Sequence, residues 1–446
     1  MLELILIIIS SLVVVKSLDM PPLISSVSSV LLLIEHIALI FSSRILINYE
    51  FKRQQLKYRR IYFLFFLIGY TISLIYIYYF WIPDMIRNYS TGWDTFDPIK
   101  YYAMSKEMVS GGSVLGSLYF PVVYIYYIEM LILGVHPLIP LFVNQFFYLY
   151  AVIILAKFIN SDNSKHLQRF AILLLIPEAL YFGVTSSKDI LCLLCATIIF
   201  VHSQKILLKD YSILNYLIAS IAFLVLFIAR TGMAMMAILS VIMFFFNFKK
   251  LRLKHMLFLF VGGGVFLIAT NLFNSIGIVT TVAEVSEKAE GQISGDMSFA
   301  NELSDQKDNA FANKLIPHNP VEFVVFGVIR SVVYAMLSPS DLHIFIEPQN
   351  FALIYNEYYT SLLMTISWPI IIYVFIHRKK YMNESLRRLF YVTMLYVMSV
   401  GIFNPMIIHR RYRLVYSLLF LALALKSWYI IKSSKTQKEA EPSVLS

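Results

Sequence analysis

Fourteen apolar stretches of about 16 to 27 residues follow one another along the chain, and they constrain its fold more than any other feature. A run of about 20 apolar residues crosses the hydrocarbon layer of a membrane as one helix, because a helix satisfies its own backbone hydrogen bonds. The stretches cover residues 2–18, 22–48, 61–82, 119–134, 138–159, 170–186, 190–206, 211–230, 231–248, 256–273, 321–338, 356–376, 389–407 and 411–431. The sequence therefore predicts an all-α, polytopic membrane protein.

Composition excludes a soluble protein. Of the 446 residues, 59% are apolar and 14% are charged, with a mean hydropathy of +0.71, whereas a soluble domain carries about 25% charged residues. The net charge of +10 is compatible with nucleic-acid binding. However, the basic residues form short clusters between apolar stretches, which is typical of cytoplasmic loops. We therefore expect a lipid bilayer as the environment and no nucleic acid as a partner.

The chain has two cysteines, Cys192 and Cys195, and both lie inside the apolar stretch 190–206. A pair with this spacing is found in metal and redox sites as well as in apolar helices. Because the flanking residues are apolar, we interpret the two cysteines as buried packing residues.

Three basic clusters determine the predicted topology. They lie in residues 52–60, 249–254 and 378–388, and the positive-inside rule assigns all three to the cytoplasm. The number of crossings between them then requires that two apolar stretches do not span the membrane. We interpret 119–134, which is short and carries a proline and a glutamate, and 321–338, which carries a glutamate and an arginine, as helices at the outer face.

About twelve spanning helices remain in a single transmembrane domain, residues 1–431, with both termini in the cytoplasm. The segments 83–137 and 274–355 become the large external loops. Residues 432–446 form a polar tail, which we expect to be cytoplasmic and disordered. No internal repeat is visible.

The first external loop contains two carboxylates, Asp94 and Asp97, beside aromatic residues. Asp97 precedes Pro98, and this order predicts the start of an interfacial helix that runs to Ser110. Asp97 is then either a helix cap or a general base that deprotonates an acceptor hydroxyl at the membrane surface.

A second external turn contains Lys188 and Asp189, and Asp189 also opens a predicted helix. A capping role is one interpretation of Asp189. The other is that it shares a site with Asp97 at the same membrane depth, where Lys188 would offset the charge of an anionic ligand.

The last external turn contains Arg410, Arg411 and Arg413, which runs against the positive-inside trend. Arginines kept outside the cytoplasm indicate an anionic ligand, because the guanidinium fork matches phosphate oxygens. Arg230 and Arg330, also predicted to be external, would join this phosphate-binding group. The alternative is that the predicted topology is wrong here and the arginines form an ordinary internal cluster.

These segments resemble the GT-C superfamily of membrane glycosyltransferases. Asp97-x-x-x-Tyr101-Tyr102-Ala103, followed by Gly111-Gly112, is similar to the first-loop aspartate and juxtamembrane helix of the family. Residues 119–134 are similar to its second juxtamembrane helix, and Pro177 to Asp189 to its second external loop. The long external loop 274–355 before an arginine-rich end is similar to bacterial surface-polysaccharide polymerases of the Wzy type, which make O-antigen or capsule.

The resemblance implies an enzyme of the bacterial plasma (inner) membrane that acts outside the cytoplasm on sugars linked to polyprenyl (undecaprenyl) phosphate or diphosphate. It implies that Asp97 is the catalytic carboxylate, that Asp189 assists metal or acceptor binding, and that Arg410 to Arg413 bind the lipid phosphate. Asp189 is followed by Ile190 and Leu191 in place of the second acid of the family, so both a reaction that depends on a divalent metal and a metal-independent reaction are kept as alternatives. Polysaccharide assembly proteins are expected partners.

Two other classes of function fit the same sequence. A transporter, such as a flippase of lipid-linked oligosaccharide, would also use many helices and a positive cavity, although transporters commonly show repeats and polar residues at mid-membrane depth. A non-catalytic assembly subunit would use Asp97 and Asp189 only as helix caps.

Overall fold

The computed structural model describes residues 1–17, 29–52, 54–83, 97–112, 121–160, 164–207, 212–230, 233–234, 237, 351–403 and 410–440. Every regular element within these ranges is helical. The predicted span 256–273 and outer-face helix 321–338 lie outside the described residues, as do nearly all of 231–248 and of the loop 274–355. The predicted all-α class is confirmed for the part of the chain that is described.

The α-helices are α1 (Leu2–Lys16), α2 (Ser29–Glu50), α3 (Leu56–Tyr76), α4 (Asp97–Val109), α5 (Pro121–Leu133), α6 (Leu138–Ile159), α7 (Pro177–Val184), α8 (Asp189–Leu207), α9 (Ile213–Ala229), α10 (Phe351–Ile376), α11 (Arg378–Tyr381), α12 (Glu384–Phe403) and α13 (Arg410–Ala440). A π-helical segment, Ile77–Trp81, extends α3, and a 3₁₀ helix, Ser164–Leu175, precedes α7.

Five described helices are long and apolar enough to cross a membrane. They are Val30–Glu50, Leu56–Trp81, Leu138–Ile159, Asp189–Ile206 and Leu414–Ser434. A sixth is obtained when the 3₁₀ helix and α7 are counted as one bent span. The structure therefore supports a membrane protein, while the predicted number of about twelve spans is not confirmed.

The predicted single span 170–186 is not one straight helix. The chain bends by 51° between the 3₁₀ helix and α7, and Pro177 occupies the first turn after the bend. Proline has no N–H to donate, and it disfavours helical backbone at the preceding residue, here Ile176, whose backbone is extended. The Ile176-Pro177 sequence is a signal for this bend. The span 170–186 was predicted from hydropathy alone, which does not detect such a break.

Two segments expected at the outer face are described: the helix predicted to start at Asp97, which is α4, and the stretch 119–134, which contains α5. Helix α4 starts at Asp97 and ends at Val109, within one residue of the predicted end. Helix α5 has 13 residues, which at 1.5 Å per residue is about 20 Å and too short for a hydrocarbon layer of about 30 Å. The Ser105 hydroxyl of α4 donates to the Val123 carbonyl of α5 at 3.0 Å, so the two helices pack together.

One end of the helix bundle is rich in basic residues, and we call it the basic end. There, Lys157 of α6 forms an ion pair with Glu50 of α2 at 2.5 Å, and Lys426 of α13 donates to Asn160 at 3.5 Å. The Tyr62 hydroxyl donates to the Leu167 carbonyl at 3.0 Å. These contacts bring together the ends of α2 and α6, the middle of α13, the start of α3 and the 3₁₀ helix.

The opposite end, which we call the site end, holds Ser17, His136, Asp189 and Arg230. The Leu138 amide donates to Nδ1 of His136 at 3.1 Å, so Nε2 carries the proton and donates to the Ser17 carbonyl at 3.2 Å. Burial lowers the pKa of His136 to about 4, and the imidazole is therefore neutral at pH 7. The positive-inside rule predicts that these four residues lie on one side of the membrane, and in the structure they lie at one end of the bundle.

Helix α13 continues into the segment that we expected to be a disordered tail. It runs to Ala440, nine residues beyond Ile431, the end of the last apolar stretch. The Ser433 hydroxyl lies 3.4 Å from Nε2 of His166, and the His166 and Tyr429 rings stack at 4.9 Å. The backbone is thus helical to residue 440, where a disordered tail was expected.

We predict that the two ends are accessible from opposite sides of the membrane. In a background with Cys192 and Cys195 replaced by alanine, Ser110→Cys should react with a membrane-impermeant maleimide in intact cells. Gln55→Cys, which is also exposed, should react only after the membrane is permeabilised. Labelling of both from the same side would contradict the division into two ends, and the reverse order would contradict only the orientation drawn from loop charge.

Candidate functional site

The site end contains a buried ion pair between two of the predicted site residues. Nη1 of Arg230 donates to Oδ1 of Asp189 at 2.8 Å, and the two side chains are 11% and 0% exposed. Asp189 is the first residue of α8, and Arg230 directly follows α9, so two helix ends that are 41 residues apart in sequence are joined. Sequence reasoning placed both residues at this end, and the structure brings them into contact.

Local helix electrostatics favours this pair. Asp189 lies at the N-terminus of α8, where the helix macrodipole stabilises negative charge, and Arg230 lies at the C-terminus of α9, where it stabilises positive charge. The Asp189 amide donates to Oγ of Ser187 at 3.5 Å, and the Cys192 amide donates to the Lys188 carbonyl at 2.9 Å, which forms the first turn of α8. The Asp189 carboxylate thus contacts a cation, and its residue also opens α8.

Lys188 connects this ion pair to α4. Its ammonium lies 5.8 Å from the ring centre of Tyr101 on α4, which is within the range of a cation–π interaction. Tyr101 is 2% exposed, so the contact is made on the buried side of α4. Asp97 precedes Tyr101 by four residues, or about 6 Å along the helix axis.

The turn before α8 is held by side chains that the sequence analysis did not identify. The Tyr126 hydroxyl lies 3.1 Å from the Ser187 carbonyl and 3.2 Å from Oδ1 of Asn144. Nδ2 of Asn144 donates to the Thr185 carbonyl at 3.0 Å. Burial raises the pKa of Tyr126, so its phenol stays protonated and remains a donor. One signal was available: Asn144 is a polar residue inside an apolar stretch, where such residues face the protein interior.

The remaining predicted site residues are described in part or not at all. The backbone of Asp97 opens α4, as the Asp-Pro sequence predicted, but its side chain lies outside the described residues. The same holds for the side chains of Arg410, Arg411 and Arg413, whose backbone forms the first turn of α13. Asp94 and Arg330 lie wholly outside the described part of the chain.

The start of α13 lies toward the site end. Tyr429 of this helix contacts His166 at the basic end, and Arg410 precedes Tyr429 by 19 residues, or about 28 Å of helix. The helix therefore covers most of the thickness of the bundle, and its N-terminus is directed away from the basic end. Three arginines in the first turn oppose the helix macrodipole, and no acidic residue occurs in that turn to offset them.

The described residues contain no group of three or more His, Cys, Asp or Glu side chains that could hold a metal ion. Of the predicted carboxylates, only Asp189 has a described side chain. Cys192 and Cys195 are buried free thiols in α8, which confirms that they pack inside the bundle.

Chemically, this arrangement provides fixed cations at the end of a helix bundle. Asp189 orients the Arg230 guanidinium, and the Tyr101 ring faces the Lys188 ammonium, so both cations are held before any ligand arrives. Preorganised cations of this kind can neutralise a phosphate that gains charge during a reaction. Comparison with known protein families, with curated proteins and with solved structures finds no match for this chain.

We predict that the ion pair at the site end is far more important for stability than the pair at the basic end. Asp189→Asn should lower the free energy of unfolding by about 3 kcal/mol, because it leaves the Arg230 charge buried without its carboxylate. The matched control is Glu50→Gln, whose partner Lys157 is 42% exposed, and it should cost about 1 kcal/mol or less.

Thermal and chemical unfolding of the purified proteins in detergent would measure both effects. The double variant Asp189→Asn/Arg230→Gln should recover part of the loss, because it removes the stranded charge. Equal, small losses for Asp189→Asn and Glu50→Gln would show that the Asp189–Arg230 pair is no more important than a surface pair.

Proposed function

We propose that the protein is a membrane glycosyltransferase or repeat-unit polymerase that uses a polyprenyl phosphate- or diphosphate-linked sugar as donor. The observation that carries this proposal is the buried Asp189–Arg230 pair, at the end of the bundle toward which the arginine-rich start of α13 is also directed. Cations that are fixed on one side of a membrane, next to an interfacial helix, suit a substrate whose lipid part stays in the bilayer and whose phosphate lies at the surface.

The proposed reaction needs one proton acceptor and several cations. The acceptor hydroxyl attacks the anomeric carbon of the donor sugar, a new glycosidic C–O bond forms, and the bond from that carbon to the phosphate oxygen breaks. The hydroxyl proton goes to the Asp97 carboxylate, which acts as the general base. The electron pair of the broken bond stays on the polyprenyl (di)phosphate, whose added charge is neutralised by Arg230, Lys188 and the arginines of α13.

Asp189 has a positioning role in this proposal. Its contact with Arg230 fixes the direction of the guanidinium. A free arginine side chain would lose conformational entropy when it is ordered by a ligand, and Asp189 orders it beforehand. Arg230→Lys would keep the charge but lose the planar fork, so lysine is not an equivalent residue at this position. The expected location remains the plasma membrane of a bacterium, with the site end facing outward.

We predict that Asp97→Asn slows polymer formation by about 100-fold or more, because loss of a general base typically costs a factor of 10² to 10⁴. The assay uses purified protein and a synthetic polyprenyl diphosphate-linked oligosaccharide, and product length is measured on gels. Glu107→Gln is the matched control, since Glu107 is an exposed carboxylate on the same helix, and it should retain wild-type product length.

Normal polymer formation by a correctly inserted Asp97→Asn protein would remove Asp97 from the proposed mechanism. If the wild-type protein also made no product, the glycosyltransferase proposal itself would be rejected. The two failures are therefore distinguishable.

The alternative, a flippase of lipid-linked oligosaccharide, is supported by a buried polar network within the bundle. Nδ1 of His36 on α2 lies 2.6 Å from the Tyr70 hydroxyl on α3, and its Nε2 lies 3.1 Å from Oγ of Ser11 on α1. Glu35 of α2 and Glu129 of α5 each have one buried carboxyl oxygen without a hydrogen-bond partner among the described residues. Ionisable groups at this depth commonly line transport pathways.

The variant Glu35→Gln separates the two functions. A glycosyltransferase should keep polymer formation within about twofold of wild type, because Glu35 is not among the residues proposed for glycosyl transfer and changes outside a site have small effects. A flippase should instead show slower movement of lipid-linked glycan between leaflets, with no change in glycan length. Reconstitution of the purified protein into vesicles allows both quantities to be measured on one sample.

A further inference from the structure

A cavity at the basic end lies between the first turn of α1 and the first turns of α3, away from the proposed glycosyl-transfer site. It has a volume of about 250 Å³. Its lining combines one carboxylate, two cations and three apolar side chains: Glu3, Lys57, Arg60, Leu56, Ile61 and Leu64.

The α3 residues of this cavity are ordered by chemistry along a single helix face. Lys57, Arg60, Ile61 and Leu64 have the spacing i, i+3, i+4 and i+7, which places them on one side of a helix. Lys57 and Leu64 are separated by seven residues, or about 10 Å along the axis. Leu56 lies beside Lys57 at the start of the helix, whereas Ile61 and Leu64 lie further along it than the two cations, which matches the order of headgroup and acyl chain in a phospholipid.

The electrostatics of the helix end adds to these cations. Helix α3 starts at Leu56, so Lys57 lies in its first turn, where unpaired backbone N–H groups and the macrodipole favour an anion. Phosphate groups bind readily at helix N-termini of this kind. Glu3 brings one negative charge from α1 to the same cavity.

The surface beside the cavity is of the kind that lipids cover. Leu2 and Leu4, which flank Glu3, are 51% and 61% exposed, and Ile5 and Ile8 further along α1 are also exposed. Exposed apolar side chains along a whole helix are unfavourable in water and favourable in contact with acyl chains. A ligand that enters the cavity from this surface therefore arrives from the bilayer.

We propose that this cavity binds one aminophospholipid, of the phosphatidylethanolamine type. Arg60 and Lys57 bind its phosphodiester, the Glu3 carboxylate accepts hydrogen bonds from its ammonium group, and its acyl chain lies along Ile61 and Leu64. The charge pattern distinguishes this lipid from others. An acidic lipid such as phosphatidylglycerol has no cation for Glu3, and the quaternary amine of phosphatidylcholine has no N–H to donate to it.

Native mass spectrometry of the full-length protein, released from detergent after equilibration with defined lipids, tests this proposal. Wild-type protein should retain phosphatidylethanolamine about tenfold better than phosphatidylglycerol or phosphatidylcholine, since one charge-assisted hydrogen bond is worth about this factor. The double variant Lys57→Gln/Arg60→Gln should lose about tenfold in retention of phosphatidylethanolamine. Lys379→Gln is the matched control, because Lys379 is an exposed cation of α11 that lies outside the cavity.

A second variant tests the recognition of the amine without removing the phosphate-binding cations. Glu3→Gln should bring retention of phosphatidylethanolamine and phosphatidylglycerol within about twofold of each other, because it removes the charge that selects the ammonium. Glu3 is half-buried at the exposed start of α1, so its replacement by the isosteric amide should leave the fold intact. Equal retention of both lipids by the wild-type protein would overturn the proposal, and so would unchanged retention in the Lys57→Gln/Arg60→Gln variant.

Discussion

The arrangement of this bundle depends on the way in which α6 satisfies the backbone of a bent neighbour. A helix that breaks inside an apolar layer leaves carbonyl groups without intrahelical partners, and the layer offers no water to bind them. Tyr148 of α6 donates to the Leu173 carbonyl on one side of the bend, and Asn144 donates to the Thr185 carbonyl on the other. Gln145 between them donates to Oγ of Ser73 on α3 at 3.0 Å. One face of α6 thus fixes both halves of the bent segment and α3.

Close packing around the bend explains why small residues occur there. A Cβ atom on Gly69 of α3 would lie 2.9 Å from the Leu174 carbonyl oxygen, and one on Gly183 of α7 would lie 2.8 Å from Nε2 of Gln145. Both glycines allow a neighbouring polar group to approach the backbone directly, as small residues do in other helical membrane proteins. The turn that follows Gly183 carries Ser187, Lys188 and Asp189, so the geometry of the proposed site is set by packing deeper in the bundle.

Sequence reasoning predicted those features that depend on local chemistry. The Asp97-Pro98 pair identified the start of α4, the short stretch 119–134 became a helix too short to span, and loop charge grouped Asp189 with Arg230 at one end. Features that depend on a partner elsewhere in the chain were missed. Three examples are the donors that α6 supplies on both sides of the bend, the contact of Tyr126 with Ser187, which are 61 positions apart, and the stacking of Tyr429 on His166. Hydropathy measures the preference of a segment for lipid, and it contains no information on which side chain satisfies which carbonyl.

The charges at the two ends follow different physical rules. At the basic end, the cavity cations Lys57 and Arg60 are exposed beside apolar surface, where ion pairs contribute little and the cations are available to lipid phosphates. At the site end, Arg230 is removed from water and is held by a carboxylate whose burial also has an energetic cost. Replacing such a pair by apolar residues of similar volume is often neutral or stabilising, so fold stability alone gives little reason to retain it. The arginines at the start of α13 also have a cost, which is smaller, because they oppose the dipole of their own helix. An anionic ligand at this end would offset both costs, and that is the physical basis for proposing a phosphate-binding site there.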